Sequence, residues 1–285
     1  MNWPRVKWIL IVMLLAGNLL LTALYLNRRE ETRRAAEQFQ NAFVTALSIR
    51  GVTLAPEVKN QLSSDARRLY ATRDIEREET LAVALLGQTD RENLGGRIYE
   101  YTSASGQARF WSGGQFLVEW LTRRPAEGPI EADAAKLLLA AGFPADPVSE
   151  IRESLNQVTI TVSQRIGEWP IFDADVNLVY EDGILISLSG KWLWGDPLPA
   201  GDESPCPVFG IALLRFTEYR AAAGAPVSVV ESMRAGYLLS AYPPDDIPPD
   251  YICVTPVWRI TADGHVYDID AQTGEEHLSR GDSIG

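Results

Sequence analysis

Ile171-Phe172-Asp173-Ala174-Asp175-Val176-Asn177-Leu178-Val179-Tyr180-Glu181-Asp182-Gly183-Ile184-Leu185-Ile186-Ser187-Leu188 decides the fold class of this 285-residue chain. From Phe172 to Tyr180, apolar residues recur at every second position, the period of a strand with one buried face. Asp182-Gly183 is a hairpin signal, because a two-residue type I′ turn needs positive φ at both central positions. Ile184 to Leu188 then reads as the returning strand, so the sheet is antiparallel.

The neighbouring residues extend this unit. Upstream, Val158, Ile160 and Val162 alternate with Thr159, Thr161 and Ser163 as another strand. Before them, Glu131 to Ala141 is a helix with the stripe Ala134, Leu137, Leu138 and Ala141. Gly142 ends it and Pro144 lies just beyond, the asymmetry expected at a helix C-terminus. The plan then recurs. Pro207 to Ala223 reads as a helix stopped by Gly224 and Pro226, with strands at Val227–Val230 and Tyr237–Tyr242. A hairpin of Val254–Thr261 and His265–Ile269 follows around Asp263-Gly264. The helix-ending glycines are 82 residues apart and the Asp-Gly pairs 81, whereas Pro170 and Pro256, which open corresponding strands, are 86 apart. Duplication of a helix-plus-antiparallel-sheet unit accounts for this spacing.

The first half of the chain is less regular. Arg97–Thr102, Gln107–Trp111 and Gln115–Leu121 read as a small meander turning at Ser105-Gly106 and Gly113-Gly114. Arg67–Thr72 reads as a strand and Glu78–Leu86 as a short helix. From Glu30 to Arg50 the stripe Ala36, Phe39, Ala42, Phe43, Ala46 and Leu47 predicts a helix ending at Gly51.

Ahead of that helix, Trp8 to Leu26 carries no charge. Nineteen residues span roughly 28 Å as a helix, one bilayer core, with Trp3, Trp8 and Tyr25 placed as interfacial aromatics. The run ends Thr22-Ala23-Leu24-Tyr25-Leu26-Asn27 without a small-x-small cleavage site, which favours an uncleaved anchor over a signal peptide. Arg5 and Lys7 precede the span and Arg28, Arg29, Arg33 and Arg34 follow it. Charge alone therefore does not set the orientation. Within the span, Gly17, Asn18 and Thr22 are small or polar, and Asn18 and Thr22 share a face, as at helix–helix contacts in lipid. A tolerated Asn and Thr is the equal alternative.

Composition narrows the function. A net charge of −12 disfavours nucleic acid as a partner, since phosphate binding needs a basic face. With 46% hydrophobic and 22% charged residues, wholesale disorder is not expected. Two cysteines, Cys206 and Cys253, and two histidines, His265 and His277, are too few for a Cys/His zinc site. The cysteines either pair, closing a loop for ~4 kcal/mol on the chain-entropy model, or stand as two small hydrophobes. Nucleophile elbows, phosphate loops and metal-binding signatures are missing from the sequence, so no enzyme activity and no cofactor are expected. The pairs Asp173/Asp175 and Asp268/Asp270 are the only candidates for carboxylate chemistry, such as a wall hydrolase. They are expected to be exposed on the polar faces of hairpin strands. Trp192 and Trp194 are expected in the core rather than as a sugar platform, and the proline-rich stretch from Tyr242 to Tyr251 as a stiff connection.

The opening Met1-Asn2-Trp3-Pro4-Arg5-Val6-Lys7 running into a span with Asn18 resembles the N-terminus of the YycI family. The ending Pro256-Val257-Trp258-Arg259-Ile260, then Tyr267-Asp268-Ile269-Asp270-Ala271-Gln272-Thr273-Gly274-Glu275, is similar to the closing hairpin of YycI and of PepSY-like domains. The resemblance implies a single-pass membrane regulator without catalytic residues or cofactors. Its N-terminus is cytoplasmic, its remaining chain extracytoplasmic, and its partners are an essential sensor histidine kinase controlling cell-wall metabolism and a YycH-like sister protein. Residue by residue, only the span with Gly17, Asn18 and Thr22 carries over as the kinase contact. A PepSY-like ligand-binding or protease-inhibitory module is the alternative. The expected architecture is α+β: residues 1–7 cytoplasmic, 8–26 a transmembrane helix, 27–128 a stalk and first α+β region, and 129–285 the duplicated helix-plus-sheet domain.

Overall fold

The computed structural model describes residues 42–56, 58, 66–143, 150–199, 209–240 and 251–277. The segment from Trp8 to Leu26, with Gly17, Asn18 and Thr22, lies outside them. Among the described residues no helix is long and apolar enough to cross a membrane. The chain is mixed α+β, with four helices among the described residues packed on one large, largely antiparallel sheet network.

A helix followed by an antiparallel meander occurs three times. Helix α1 (42–49) and the short strands β1 (Thr53–Leu54) and β2 (Leu69–Thr72) come first. Helix α2 (Ile75–Leu86) is followed by β3 (Asp90–Gly95), β4 (Ile98–Thr102), β5 (Gly106–Phe110) and β6 (Gln115–Pro125). Helix α3 (Ile130–Ala140) is followed by β7 (Glu150–Ser154), β8 (Gln157–Ile166), β9 (Trp169–Glu181) and β10 (Ile184–Lys191). The two-residue β11 (Leu198–Pro199) precedes α4 (Phe209–Ala222). Then come β12 (Val229–Ser240), β13 (Tyr251–Ala262), β14 (His265–Asp270) and β15 (Glu276–His277). Gly87, Gly142 and Gly224 stop α2, α3 and α4 at φ 81°, 83° and 75°.

The sequence reading is corrected at several points. Helix α2 starts before Glu78, because the Asp74 side chain accepts the Arg77 N–H and caps its first turn. The expected strands Val227–Val230 and Tyr237–Tyr242 are joined in one continuous strand, β12, over Val229–Ser240, irregular between Val230 and Ser232, while residues 241 and 242 lie outside the described residues. The first meander has an additional edge strand, β3, and the second has β7. Both hairpin turns are confirmed: Asp182 and Gly183 lie at φ 50° and 74°, Asp263 and Gly264 at 49° and 77°. Asp263 also accepts from the Ser228 and Val229 amides, which ties the turn to the start of β12.

The first two meanders join edge to edge through β6 and β10, giving the order β3-β4-β5-β6-β10-β9-β8-β7. Their common core holds α2, α3 and an aromatic cluster of Phe110, Phe116, Phe143, Trp192 and Trp194. Trp192 and Trp194 are thus core residues, 4% and 6% exposed, with Phe143 edge-on to them at 5.0 and 5.2 Å. The third meander forms a second core with α1 and α4, in which Phe43, Leu47, Phe216 and Trp258 are buried. Phe43 and Leu47 of the expected stripe therefore face the protein's own core, whereas Ala36 and Phe39 lie outside the described residues.

One buried ion pair fastens the first meander. Glu78 on α2 is fully buried and receives two hydrogen bonds from Arg73, at 2.7 and 2.8 Å. Arg73 also donates to the carbonyls of Arg97 and Phe110 and lies over the Tyr99 ring. Burial pushes the Glu78 carboxyl above the ordinary carboxylate range, and the guanidinium offsets only part of that rise.

The two cores meet where β12 runs parallel to the start of β9, pairing Tyr237 with Ile171. Gly236 makes the approach possible, since a Cβ there would strike the Phe172 ring. Asp173 closes the seam. It accepts the Leu239 N–H at 2.9 Å and pairs with Lys191, which also donates to the Leu239 carbonyl at 2.6 Å. Asp173→Ala is expected to cost about 1–2 kcal/mol in denaturant unfolding, after discounting for partial exposure. Asp175→Ala, one pleat along, is expected to stay within about 0.5 kcal/mol. Equal losses would contradict the assignment of the seam to Asp173.

Candidate functional site

A cleft of about 420 Å³ opens where four separate pieces of chain converge. Arg77 comes from the first turn of α2, Gly142 from the end of α3, Gln164 to Ile166 from the end of β8, and Trp192 to Pro197 from the segment leaving β10. The last segment has no strand partners, so other groups satisfy its backbone. The Trp192 N–H donates to the Gly114 carbonyl. Gln164 clamps Leu193 on both sides, its amide donating to the Leu193 carbonyl at 2.9 Å and its oxygen accepting the Leu193 N–H at 2.7 Å. Arg77 Nη1 donates to the Trp194 carbonyl at 2.6 Å. The indoles of Trp192 and Trp194 anchor the segment from below by filling the aromatic core.

The lining has a definite chemistry. Its charged side chains are Arg77, Arg165 and Asp196, its neutral polar one is Gln164, and Ile166, Trp192 and Leu193 supply apolar wall. Arg77 pairs with Asp196 and with Asp74, each at 3.3 Å, and both Arg77 and Asp196 face solvent. Arg165 Nη2 donates to the Glu168 carbonyl at 2.7 Å. Such a lining is equipped to bind and orient a ligand.

Of the residues singled out from the sequence, Trp192 and Trp194 line this cleft, and the carboxylate pairs lie elsewhere. Asp173 belongs to the seam. Asp268 and Asp270, expected to be exposed, are each 6% exposed. Arg259 stands directly opposite Asp268 in the ladder, bonds both its carboxylate oxygens at 2.7 Å and stacks over Phe172 at 4.1 Å, covering that face. Asp270 pairs with Arg68 at 3.2 Å and accepts from the Gln272 and Thr273 amides in the turn that follows. These carboxylates are engaged in structural bonds. Cys253 is buried on β13, with Sγ 3.4 Å from the Thr255 hydroxyl oxygen. Cys206 lies outside the described residues, as does the proline-rich stretch before Tyr251 apart from Tyr251 itself. His265 is exposed, 6.4 Å from the Tyr267 ring. Among the described residues no group of three or more His, Cys, Asp or Glu is placed to hold a metal ion.

Arg77, Gln164, Arg165 and Asp196 were not indicated by the sequence. Their convergence is tertiary, and the only local trace is the Trp192-Leu193-Trp194-Gly195-Asp196-Pro197 run itself.

No protein-family model and no curated protein matches the chain. Among solved structures, an uncharacterized protein from Eubacterium rectale aligns with 79% of this chain and 90% of its own. The identity is 10% and the TM-score 0.45. The Bacillus megaterium YpeB C-terminal domain aligns with 74% of this chain and 96% of its own, at 14% identity and a TM-score of 0.33. At these scores the likeness bears on neither ligand nor partner.

Proposed function

We propose that this chain is a membrane-anchored, non-enzymatic regulator of a sensor histidine kinase, of the kind its N-terminus and closing hairpin resemble in the YycI family. It sits in the cell membrane with its N-terminus inside and its folded part outside, beside the kinase and a YycH-like sister protein. One observation carries the reading: α1, which begins sixteen positions after the apolar segment Trp8–Leu26 ends, is locked into the second core by Phe43 and Leu47, at 5% and 0% exposure. A rigid-body change in the folded part is thereby passed to the anchor. The anchor biases the kinase between signalling states through helix contact in lipid, on the face of Gly17, Asn18 and Thr22. The Asn18→Leu/Thr22→Leu variant is expected to fractionate with membranes but to capture several-fold less kinase on co-purification. Undiminished capture would remove the anchor contact from this account.

The cleft favours a second reading, a PepSY-like extracytoplasmic module that binds a ligand. Its volume falls within the range of small-molecule and peptide-end sites, and its floor is held rigid by Gln164 and Arg77. The two readings are compatible: a ligand in the cleft would be the signal that the anchor transmits.

A further inference from the structure

We propose that the cleft takes a small ligand carrying a carboxylate beside an apolar group, the chemistry of a peptide C-terminus; this rests on the reading of the cleft as a binding site. Charge is the first argument. The protein carries a net charge of −12, yet the charged groups lining this cleft are two guanidiniums and one carboxylate, with Asp74 outside the lining as a second carboxylate on Arg77. The guanidinium edges are the second. Arg77 uses Nη1 and Nε, and Arg165 uses Nη2, leaving Nη2 of Arg77 and Nη1 and Nε of Arg165 without partners among the described residues. Planar N–H edges of this kind bind a carboxylate in a fixed orientation, with ion-assisted hydrogen bonds.

Asp196 supplies the third argument. Its side chain is 82% exposed and its 3.3 Å contact with Arg77 is long, so it holds the guanidinium loosely. A ligand carboxylate takes the same place with better geometry, and Asp196 swings into solvent. The apolar part of the ligand then rests on Ile166 and Trp192, the wall beside the guanidiniums. Asp196 is thus a built-in competitor, which gives the proposal a sign that a structural role would not produce.

Calorimetric titration of the full-length protein tests this with N-acetyl-alanyl-leucine, its C-terminal amide, and hexanoate. The free acid is expected to bind about tenfold more tightly than the amide. Arg165→Gln, at an exposed position, is expected to remove most of that preference without moving the melting temperature. Asp196→Asn is expected to tighten acid binding about threefold by removing the competing charge. Hexanoate binding as strongly as the dipeptide assigns the cleft to free acids, and weaker binding assigns it to peptide ends; either supports the carboxylate class. An amide that binds as well as the acid, or an Asp196→Asn variant that binds less, overturns the carboxylate inference and leaves the cleft as a binding site. If neither dipeptide binds, both readings fall.

Discussion

Arg73→Met is expected to destabilise the protein by about 4 kcal/mol at neutral pH, because it leaves the Glu78 carboxylate buried without its counter-ion. Glu78 is fully buried, and its principal donors are the two guanidinium nitrogens at 2.7 and 2.8 Å. The same substitution releases the Arg97 and Phe110 carbonyls that Arg73 ties to α2. The loss should depend on pH in a determined direction. In the folded protein the Glu78 carboxyl already holds its proton above the ordinary value of 4.5, since desolvation outweighs the hydrogen bond and charge of Arg73. Without Arg73 both opposing influences vanish and the folded-state value rises further. The folded variant then binds a proton that the unfolded chain has released, so raising the pH favours unfolding. The deficit relative to the parent is therefore smallest at acid pH, widens between the parent's raised folded-state value and the variant's still higher one, and levels off above the latter. Arg73→Met/Glu78→Met should recover most of the loss, as apolar replacement of a whole buried pair is close to neutral. Urea unfolding of the three proteins at pH 4 and pH 7 decides the point. A single variant within 1 kcal/mol of the parent at both pH values would contradict it.

The pair also shows where reading the sequence alone stops. Strands with one buried face announce themselves: β8 and most of β9 alternate because every second side chain enters the core, and the Asp-Gly turn after β9 adopts the backbone that only such residues take readily. The edge strands β3 and β7 carry no such pattern. Asp90-Arg91-Glu92-Asn93-Leu94-Gly95 and Glu150-Ile151-Arg152-Glu153-Ser154 are exposed throughout, and a ladder with one neighbour makes them strands. Their charges discourage a second chain from pairing there. The helix-plus-meander plan was readable only at its later two occurrences, because the first meander turns at Gly96-Arg97 and through Gly113-Gly114 instead of at Asp-Gly. Period alone placed Asp268 and Asp270 on a polar face, but it did not reveal that Arg259, Phe172 and Arg68 cover that face. The cleft lay furthest beyond reach, since its walls come from four segments and its floor from aromatic packing.

Gly195→Ala is expected to cost about 3 kcal/mol and to disable the cleft at the same time. An added Cβ would overlap the carbonyl oxygen of Thr72 and touch the Ala71 side chain. That carbonyl cannot withdraw, because β2 is held in register by β13 through the pairs Tyr251–Thr72 and Ile252–Ala71. The 192–197 segment must move instead. Lifting it pulls the Trp194 carbonyl off Arg77 and draws the indole out from among Phe110, Phe116 and Phe143. Backbone strain has no part in this, since Gly195 is not among the glycines at positive φ. Gly183→Ala provides the contrast: its Cβ would meet open space but φ is 74°, so only conformational strain of about 1 kcal/mol is expected, with the cleft intact. Near-UV circular dichroism separates the two variants, because only the first disturbs the packed indoles of Trp192 and Trp194. A Gly195→Ala protein with the parent's aromatic spectrum and stability would mean that the segment is not seated against β2, and the cleft geometry built on that contact would fall with it.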